Sequence, residues 1–106
     1  MNAIATMALE AEVTDAIRTI YDPEIPVNIY ELGLIYDVKV EPSGAVQVKM
    51  TLTAPSCPEA TFLPVRVESA IKAIPGVTDA KVDLVWDPPW SHERMSEAAK
   101  LQLGLI

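Results

Sequence analysis

The sequence has very few of the side chains that bind transition metals: one cysteine, Cys57, and one histidine, His92, in 106 residues. A lone cysteine forms no disulfide within the chain and fits a reducing compartment, so we expect a cytoplasmic protein. Zinc and iron–sulfur sites normally use four protein ligands, or three with a water molecule. Any iron or cluster site must therefore take ligands from carboxylates, from the Cys57 of a second copy or from a partner protein.

Long apolar runs and basic clusters are also missing. No stretch approaches the roughly 18 uninterrupted apolar residues of a membrane span. Residues 1–8 carry neither the basic start nor the apolar run of a signal peptide. The 8 basic and 15 acidic residues give a net charge of −7, and the basic ones do not cluster. We therefore expect neither a membrane nor a nucleic acid as a partner.

The chain nevertheless has enough apolar residues for a core, because hydrophobic residues make up 50% of it. Its length suits one domain. We predict a flexible N-terminal tail over residues 1–8 and a single domain over residues 9–106.

Hydrophobic periodicity predicts the order α-β-β-α-β-α. The apolar stripes of the first two helices are Leu9, Val13, Ala16, Ile17 and Ile20, then Leu63, Val67, Ala70, Ile71 and Ile74. Pro64 predicts either a bend in the second helix or a separate turn before it. The last helix is expected to begin at Ser91, to turn Met95, Ala98 and Ala99 inward, and to end near Gly104.

Alternation of apolar and polar residues predicts the three strands. The inward residues are expected to be Leu34, Tyr36, Val38 and Val40; Val46, Val48, Met50 and Leu52; and Ala80, Val82, Leu84 and Trp86. Val85, although apolar, is on the solvent side, which indicates that this side is partly covered there.

These elements favour an α+β fold: a two-layer sandwich in which helices cover one face of a three-stranded mixed sheet. Strand three can lie beside strand two, in parallel, or on the far side of strand one. The sequence leaves both arrangements open.

Cys57 lies where the second strand leads into the second helix, with Pro58 suited to the first helical position. Unpaired N–H groups and the helix dipole favour a thiolate there, by about 0.3–1 kcal/mol. This is less than the roughly 1.36 kcal/mol that one pKa unit represents, and Glu59 opposes it. A cysteine enzyme is therefore disfavoured, and a small buried apolar residue is the structural alternative.

Four side chains are candidates for a pocket around this cysteine. Thr51 and Thr53 lie on the predicted solvent face and lead to Cys57, while the loop carrying Asp22 and Glu24 can return to the same end of the sheet. Their structural alternatives are ordinary strand residues for the threonines, a turn or helix-stop residue for Asp22, and a solvated charge for Glu24.

The segment from Trp86 to Trp90 contains two tryptophans around two prolines. We expect Trp86 to be buried at the end of the third strand, and Trp90 to be the better candidate for an interface residue. Packing of Trp90 back onto the sheet is its alternative. His92 is interpreted as an exposed residue of the last helix.

Three motifs occur in the order found in one known family. They are Asp-Pro-Glu-Ile-Pro-Val-Asn at 22–28, Glu-Leu-Gly-Leu-Ile-Tyr-Asp-Val at 31–38 and Met-Thr-Leu-Thr-Ala-Pro-Ser-Cys-Pro at 50–58. With Val-Trp-Asp-Pro-Pro-Trp at 85–90, the chain resembles the iron–sulfur cluster assembly family of SufT and PaaD, and most closely its bacterial branch associated with SUF operons.

The resemblance implies an α+β fold and a non-enzymatic role in maturing iron–sulfur proteins. The family's signature cysteine falls on Cys57, its acidic pair on Asp22 and Glu24, and its threonines on Thr51 and Thr53. The implied partners are assembly scaffold or carrier proteins and apo client proteins, with a homodimer left open.

Our leading hypothesis is an accessory factor of SUF-type assembly in which Cys57 binds iron or a cluster transiently, or contacts a partner during transfer. No stable cofactor is then expected in the isolated protein. The alternative is a metal-free adaptor that recruits assembly factors and clients through protein–protein contacts.

Overall fold

The computed structural model describes residues 3–22, 25–53 and 59–104. Its elements are helix α1 (Ala3–Ile17), strands β1 (Ile35–Val40) and β2 (Ala45–Met50), helix α2 (Glu59–Lys72), strand β3 (Asp79–Leu84), a short 3-10 helix (His92–Arg94) and helix α3 (Glu97–Gln102). The predicted order α-β-β-α-β-α and the α+β class are confirmed.

The sheet has the order β1-β2-β3. Strands β1 and β2 are antiparallel, with Val38 opposite Val48, and they are joined by a turn in which Gly44 N donates to Glu41 O at 2.9 Å. Strand β3 runs parallel to β2, with Val82 opposite Val48. Of the two arrangements that the sequence left open, the one with β3 beside β2 is therefore observed.

The core lies between the sheet and helices α1 and α2, which also contact each other. Its side chains come from the predicted stripes: Val13 and Ile17; Val46, Val48 and Met50; Leu63, Val67 and Ile71. Burying apolar surface of this extent is the main driving force for folding.

Strand β1 departs from the predicted alternation. Ile35 pairs with Met50 and Asp37 with Lys49, so Tyr36 is an additional residue in β1 without a partner in β2. Such a bulge interrupts the alternation of side chains between the two faces of the strand. Ile35, predicted to point to solvent, therefore packs against the core, whereas Tyr36 does not join it.

Helix α1 begins earlier than its apolar stripe predicted. Residues 3–8, which we predicted as tail, belong to the helix. The flexibility of that segment and a domain boundary at residue 9 stay predictions.

Helix α2 is one continuous helix from Glu59 to Lys72 that includes Pro64. A separate turn over residues 59–63 is therefore not formed.

Near the end of α2, Lys72 donates a hydrogen bond to the Glu68 carboxylate. This hydrogen bond and the electrostatic attraction between the two charges raise the pKa of the Lys72 ammonium above its ordinary value.

The predicted last helix is divided into two parts. The 3-10 helix follows Ser91, and α3 begins after Ser96, whose side chain accepts a hydrogen bond from Ala99 N at 3.1 Å. Met95 and Ala99 are buried as predicted, but Ala98 is exposed. Met95 precedes α3, so its burial does not fix which face of that helix points inward. Among the described helices, none has the length and apolarity to span a membrane.

Candidate functional site

The start of β1 and the ends of β2 and β3 meet at one edge of the sheet. Two hydrogen bonds extend the strand pairing there: Thr51 N donates to Leu34 O, and Val85 N donates to Met50 O, both at 2.8 Å. Residues 86–96, here called the return segment, then cross back toward the start of β1.

Three hydrogen bonds hold the return segment in place. The Tyr36 hydroxyl donates to Pro88 O at 2.6 Å, and Trp90 Nε1 donates to Leu32 O at 2.7 Å. Ser96 N donates to the Glu31 carbonyl oxygen at 2.9 Å. The Asp87–Pro88 peptide bond is cis. All three bonds join the return segment to residues in β1 or just before it, so these residues hold the return segment in position.

The turn before β1, residues 28–33, packs closely against the return segment. Asn28 Oδ1 accepts a hydrogen bond from Glu31 N at 2.9 Å, as a side chain at the start of a helical turn commonly does. Gly33 ends the turn with φ +80°, and a Cβ atom on it would lie 2.2 Å from Arg94 O. Only glycine fits both the backbone angle and this close approach.

A cavity of about 220 Å³ lies where the return segment meets the end of β2. We call it the tryptophan cavity. The described residues that line it are Thr51, Leu52, Thr53, Trp86, Pro89 and Trp90. Both tryptophans of the chain therefore border one small space, together with both predicted threonines.

Thr51 is fully buried, at 0% exposure, and its Oγ1 has no hydrogen-bond partner among the residues that the structure describes. We predicted this side chain on the solvent face, which is wrong. The alternation of β2 ends at Met50, and Thr51 borders the cavity that the return segment helps to enclose. Thr53 is half-buried.

The two tryptophans exchange the environments that we predicted for them. Trp86 lies beyond the end of β3 and is 42% exposed, so its predicted burial is wrong. Trp90 is half-buried and packs against the core, and its indole N–H donates a hydrogen bond to Leu32 O. Packing back onto the fold, the alternative for Trp90, is what occurs; its part in an interface stays a prediction. His92 is exposed and its ring centroid lies 5.3 Å from that of Trp90.

Asp22 is 6% exposed, and its Oδ1 accepts a hydrogen bond from Ile25 N at 3.0 Å. The carboxylate thus stabilises the turn that follows it, as its structural alternative predicted. Asp22 is not among the described residues lining the tryptophan cavity. Glu24, Cys57 and Pro58 lie outside the described residues.

A second cavity, of about 390 Å³, is bordered by Tyr36, Pro88 and Arg94. The Arg94 guanidinium is centred 4.5 Å from the Tyr36 ring. Within residues 3–22, 25–53 and 59–104, no group of three or more acidic or histidine side chains is placed to bind a metal ion.

Sequence reasoning missed the contributions of Leu52 and Pro89 to the tryptophan cavity. The cavity depends on contacts between segments more than 30 residues apart, and local periodicity carries no information on these. The one available signal was the apolar Val85 on the predicted solvent side, which indicated a cover over this end of the sheet.

Comparison with known proteins gives the family. A model of the family described as "Iron-sulfur cluster assembly protein" matches residues 10–84. The "Fe-S protein maturation auxiliary factor" of Porphyromonas gingivalis is 48% identical over 97 residues, covering 92% of this chain and 92% of the relative. The "Fe-S protein maturation auxiliary factor SufT" of Staphylococcus aureus is 40% identical over 86 residues, covering 81% of this chain and 98% of the relative.

A solved structure agrees with these sequence matches. The crystal structure of a domain of unknown function, DUF59, from Bacillus anthracis has a TM-score of 0.89 to this chain and 37% sequence identity, and covers 99% of this chain and 100% of the other. Sequence and fold therefore lead to one conclusion: the chain belongs to the iron–sulfur cluster assembly protein family, among its SufT-like members.

Proposed function

We propose that this chain is a cytoplasmic accessory factor that assists the assembly of iron–sulfur clusters, or their transfer to client proteins, within the SUF system. The observation that carries the proposal is the match, over most of the chain, to relatives named for iron–sulfur protein maturation. Those names describe auxiliary factors, which supports a role without catalysis. The cluster or iron is the cargo of this process, and its partners are scaffold or carrier proteins and apo clients.

Cys57 is the side chain to which we assign contact with the cargo, as a transient ligand or as a transfer contact. Thiolates are the usual protein ligands of iron–sulfur clusters. Three residues lie between Thr53 and Cys57, so the Cα atoms of these two residues are at most about 14 Å apart even in a fully extended chain. The assigned thiol is thus covalently restricted to the neighbourhood of the tryptophan cavity.

Asp22, Glu24, Thr51 and Thr53 are assigned to the pocket around this thiol. The lining positions of Thr51 and Thr53 support their part. Asp22 has a supporting role in this scheme, because its buried Oδ1 accepts a hydrogen bond from Ile25 N at 3.0 Å.

A metal-free adaptor is the second candidate function. It is supported by the exposed Trp86. In this scheme Cys57 only contacts a partner protein, and the cavity and its tryptophans, including Trp90, form the interface.

The test is anaerobic reconstitution with iron and sulfide of the wild type, Cys57→Ala and the neighbouring control Ser56→Ala. Bound iron, visible absorption and oligomer size are measured on the same samples. We expect a chromophore in the wild type and the control, and none in Cys57→Ala. Because one thiol is too few for a cluster, the coloured species should be a dimer.

Iron bound equally by Cys57→Ala would contradict the assignment of Cys57 as ligand. No bound iron in any of the three proteins would favour the adaptor. Normal maturation of clients in cells carrying only Cys57→Ala would contradict both versions of the thiol's role.

A further inference from the structure

Helix α1 has a second stripe of mainly apolar residues, on the side opposite its buried stripe. This outer stripe consists of Ile4, Met7, Ala11 and Thr14, which recur at intervals of three and four residues. Ile4 is 79% exposed and Met7 is 68% exposed. At 3.6 residues per turn, the outer stripe lies across the helix from the buried Leu9. A helix that is apolar on both sides is usually buried on both sides, so we expect a partner on the outer stripe.

The outer stripe contains a hole of the kind that helices use to pack against each other. A cavity of about 290 Å³ is lined by Met7, Glu10, Ala11 and Thr14. These residues are at positions i, i+3, i+4 and i+7, and four such residues receive one side chain, the knob, of a facing helix in a coiled coil. The Thr14 hydroxyl already donates to Glu10 O at 3.1 Å, so an apolar knob leaves no hydroxyl unpaired there.

The outer stripe also supplies the knob that this hole requires. When two copies of α1 lie antiparallel with Ile4 of one over the hole of the other, a two-fold axis passes close to Met7. The same two-fold operation then places the second Ile4 over the first hole. One stripe thus provides both knobs and both holes, and a dimer with two-fold symmetry needs a self-complementary surface of this kind.

The charges on α1 favour an antiparallel pair of copies. Residues 1–9 have no charged side chain, so two chains with a net charge of −7 can approach each other there, whereas a basic partner would find no carboxylate. Glu10 forms no ion pair with any other residue that the structure describes. In the antiparallel pair it lies beside the first turn of the other helix, which has no acidic residue and whose dipole attracts an anion. A parallel pair would place two Glu10 carboxylates side by side.

We propose that the outer stripe is a dimer interface, in which the α1 helices of two copies pack antiparallel and each inserts Ile4 into the hole of the other. This inference goes beyond the proposed function, because it concerns the chain without iron and does not involve Cys57. Residues 3–14 of a helix span only about 18 Å. An interface of this length is small, so the dimer should dissociate on dilution.

The first test is sedimentation equilibrium of the full chain at about 5 to 500 µM, a range suited to a small interface. A chelator and a reducing agent are present, so that neither a cluster nor a disulfide can join two copies, and Cys57→Ala is measured beside the wild type. We expect a monomer–dimer equilibrium in both. Ile4→Glu should weaken the dimer at least about tenfold, because it buries an unpaired charge. Leu101→Glu is the matched control: Leu101 is an apolar residue of α3 that is 67% exposed, and its replacement should leave the dimer unchanged.

Disulfide cross-linking tests the direction of the two helices, in chains that carry Cys57→Ala and one new cysteine. Met7→Cys should give a covalent dimer on air oxidation, because both copies of this residue lie near the two-fold axis. Ile4→Cys should not, because its two copies are about 10 Å apart along the helices, beyond the roughly 7 Å between Cα atoms that a disulfide can span. A mixture of Ile4→Cys and Ala11→Cys should form the mixed disulfide.

Four results would overturn the proposal. The first is a monomer at every concentration. The second is association that Ile4→Glu and Leu101→Glu affect equally, since the interface would then lie elsewhere. The third is cross-linking of Ile4→Cys as complete as that of Met7→Cys, which would indicate parallel helices. The fourth is a monomer that binds phosphatidylcholine vesicles through Ile4, in which case a lipid surface covers the outer stripe. None of these results bears on iron binding by Cys57, so the two proposals succeed or fail separately.

Discussion

Replacing Thr51 by valine should make the protein more stable. A hydroxyl buried without a hydrogen bond costs about 1–3 kcal/mol in protein mutational data. Valine keeps the branched shape at Cβ and replaces that hydroxyl by a methyl group. We expect the free energy of unfolding of Thr51→Val to rise by about 1 kcal/mol, because Thr51 Oγ1 has no described partner to lose.

Urea denaturation followed by far-ultraviolet circular dichroism measures this change. An increase in the midpoint with an unchanged slope identifies a change in stability alone. A rise of about 1 kcal/mol corresponds to roughly 4–8 °C in Tm for a domain of this size. Thr19→Val is the matched control, because the Thr19 hydroxyl donates to Ala16 O at 2.6 Å and its loss should not stabilise the fold.

A loss of stability in Thr51→Val would refute the reasoning. It would show that the hydroxyl is hydrogen-bonded in solution, by water or by a group outside the described residues.

Two further substitutions test how the return segment is attached. Gly33→Ala should lower the free energy of unfolding by more than Gly104→Ala does. Both glycines have positive φ, but of the two only Gly33 has a backbone oxygen 2.2 Å from the added Cβ. The difference between the two losses, measured by urea denaturation, should exceed about 1 kcal/mol, and equal losses would contradict the close approach. Trp90→Phe should cost about 1–2 kcal/mol through the hydrogen bond to Leu32 O, while Trp86→Phe at the exposed position should change stability by under about 0.5 kcal/mol.

The regular part of the fold could be predicted because its periodicity is local. Val46, Val48 and Met50 are buried as their alternation predicted, since a strand between two neighbours must direct alternate residues to the same face. The predicted alternation in β1 is wrong at Tyr36, because a bulge adds one residue to the strand and no feature of the local composition indicates it.

The candidate site was predicted less well because it depends on long-range contacts. Ser91 and Ser96 are equally good N-cap residues by type, and only Ser96 caps an α-helix with its side chain. The Ser96 backbone N–H also donates a hydrogen bond to the carbonyl oxygen of Glu31, 65 residues earlier in the chain. No local sequence pattern predicts such a contact. The same holds for Trp86 and Trp90, whose exposures depend on where the return segment is attached.

Thr51→Val can separate a functional from a structural role of the hydroxyl, because the two roles predict opposite signs. A hydroxyl that merely supports the fold contributes to stability, so valine would weaken both the fold and any binding that depends on the fold. A hydroxyl kept unpaired for a partner has a cost in the free protein and a gain only in the complex, in line with the frequent trade-off between stability and function at binding sites. The variant should then be more stable than the wild type and at the same time support the maturation of client proteins less well. This combination of gains and losses in one variant is difficult to produce by general damage to the fold.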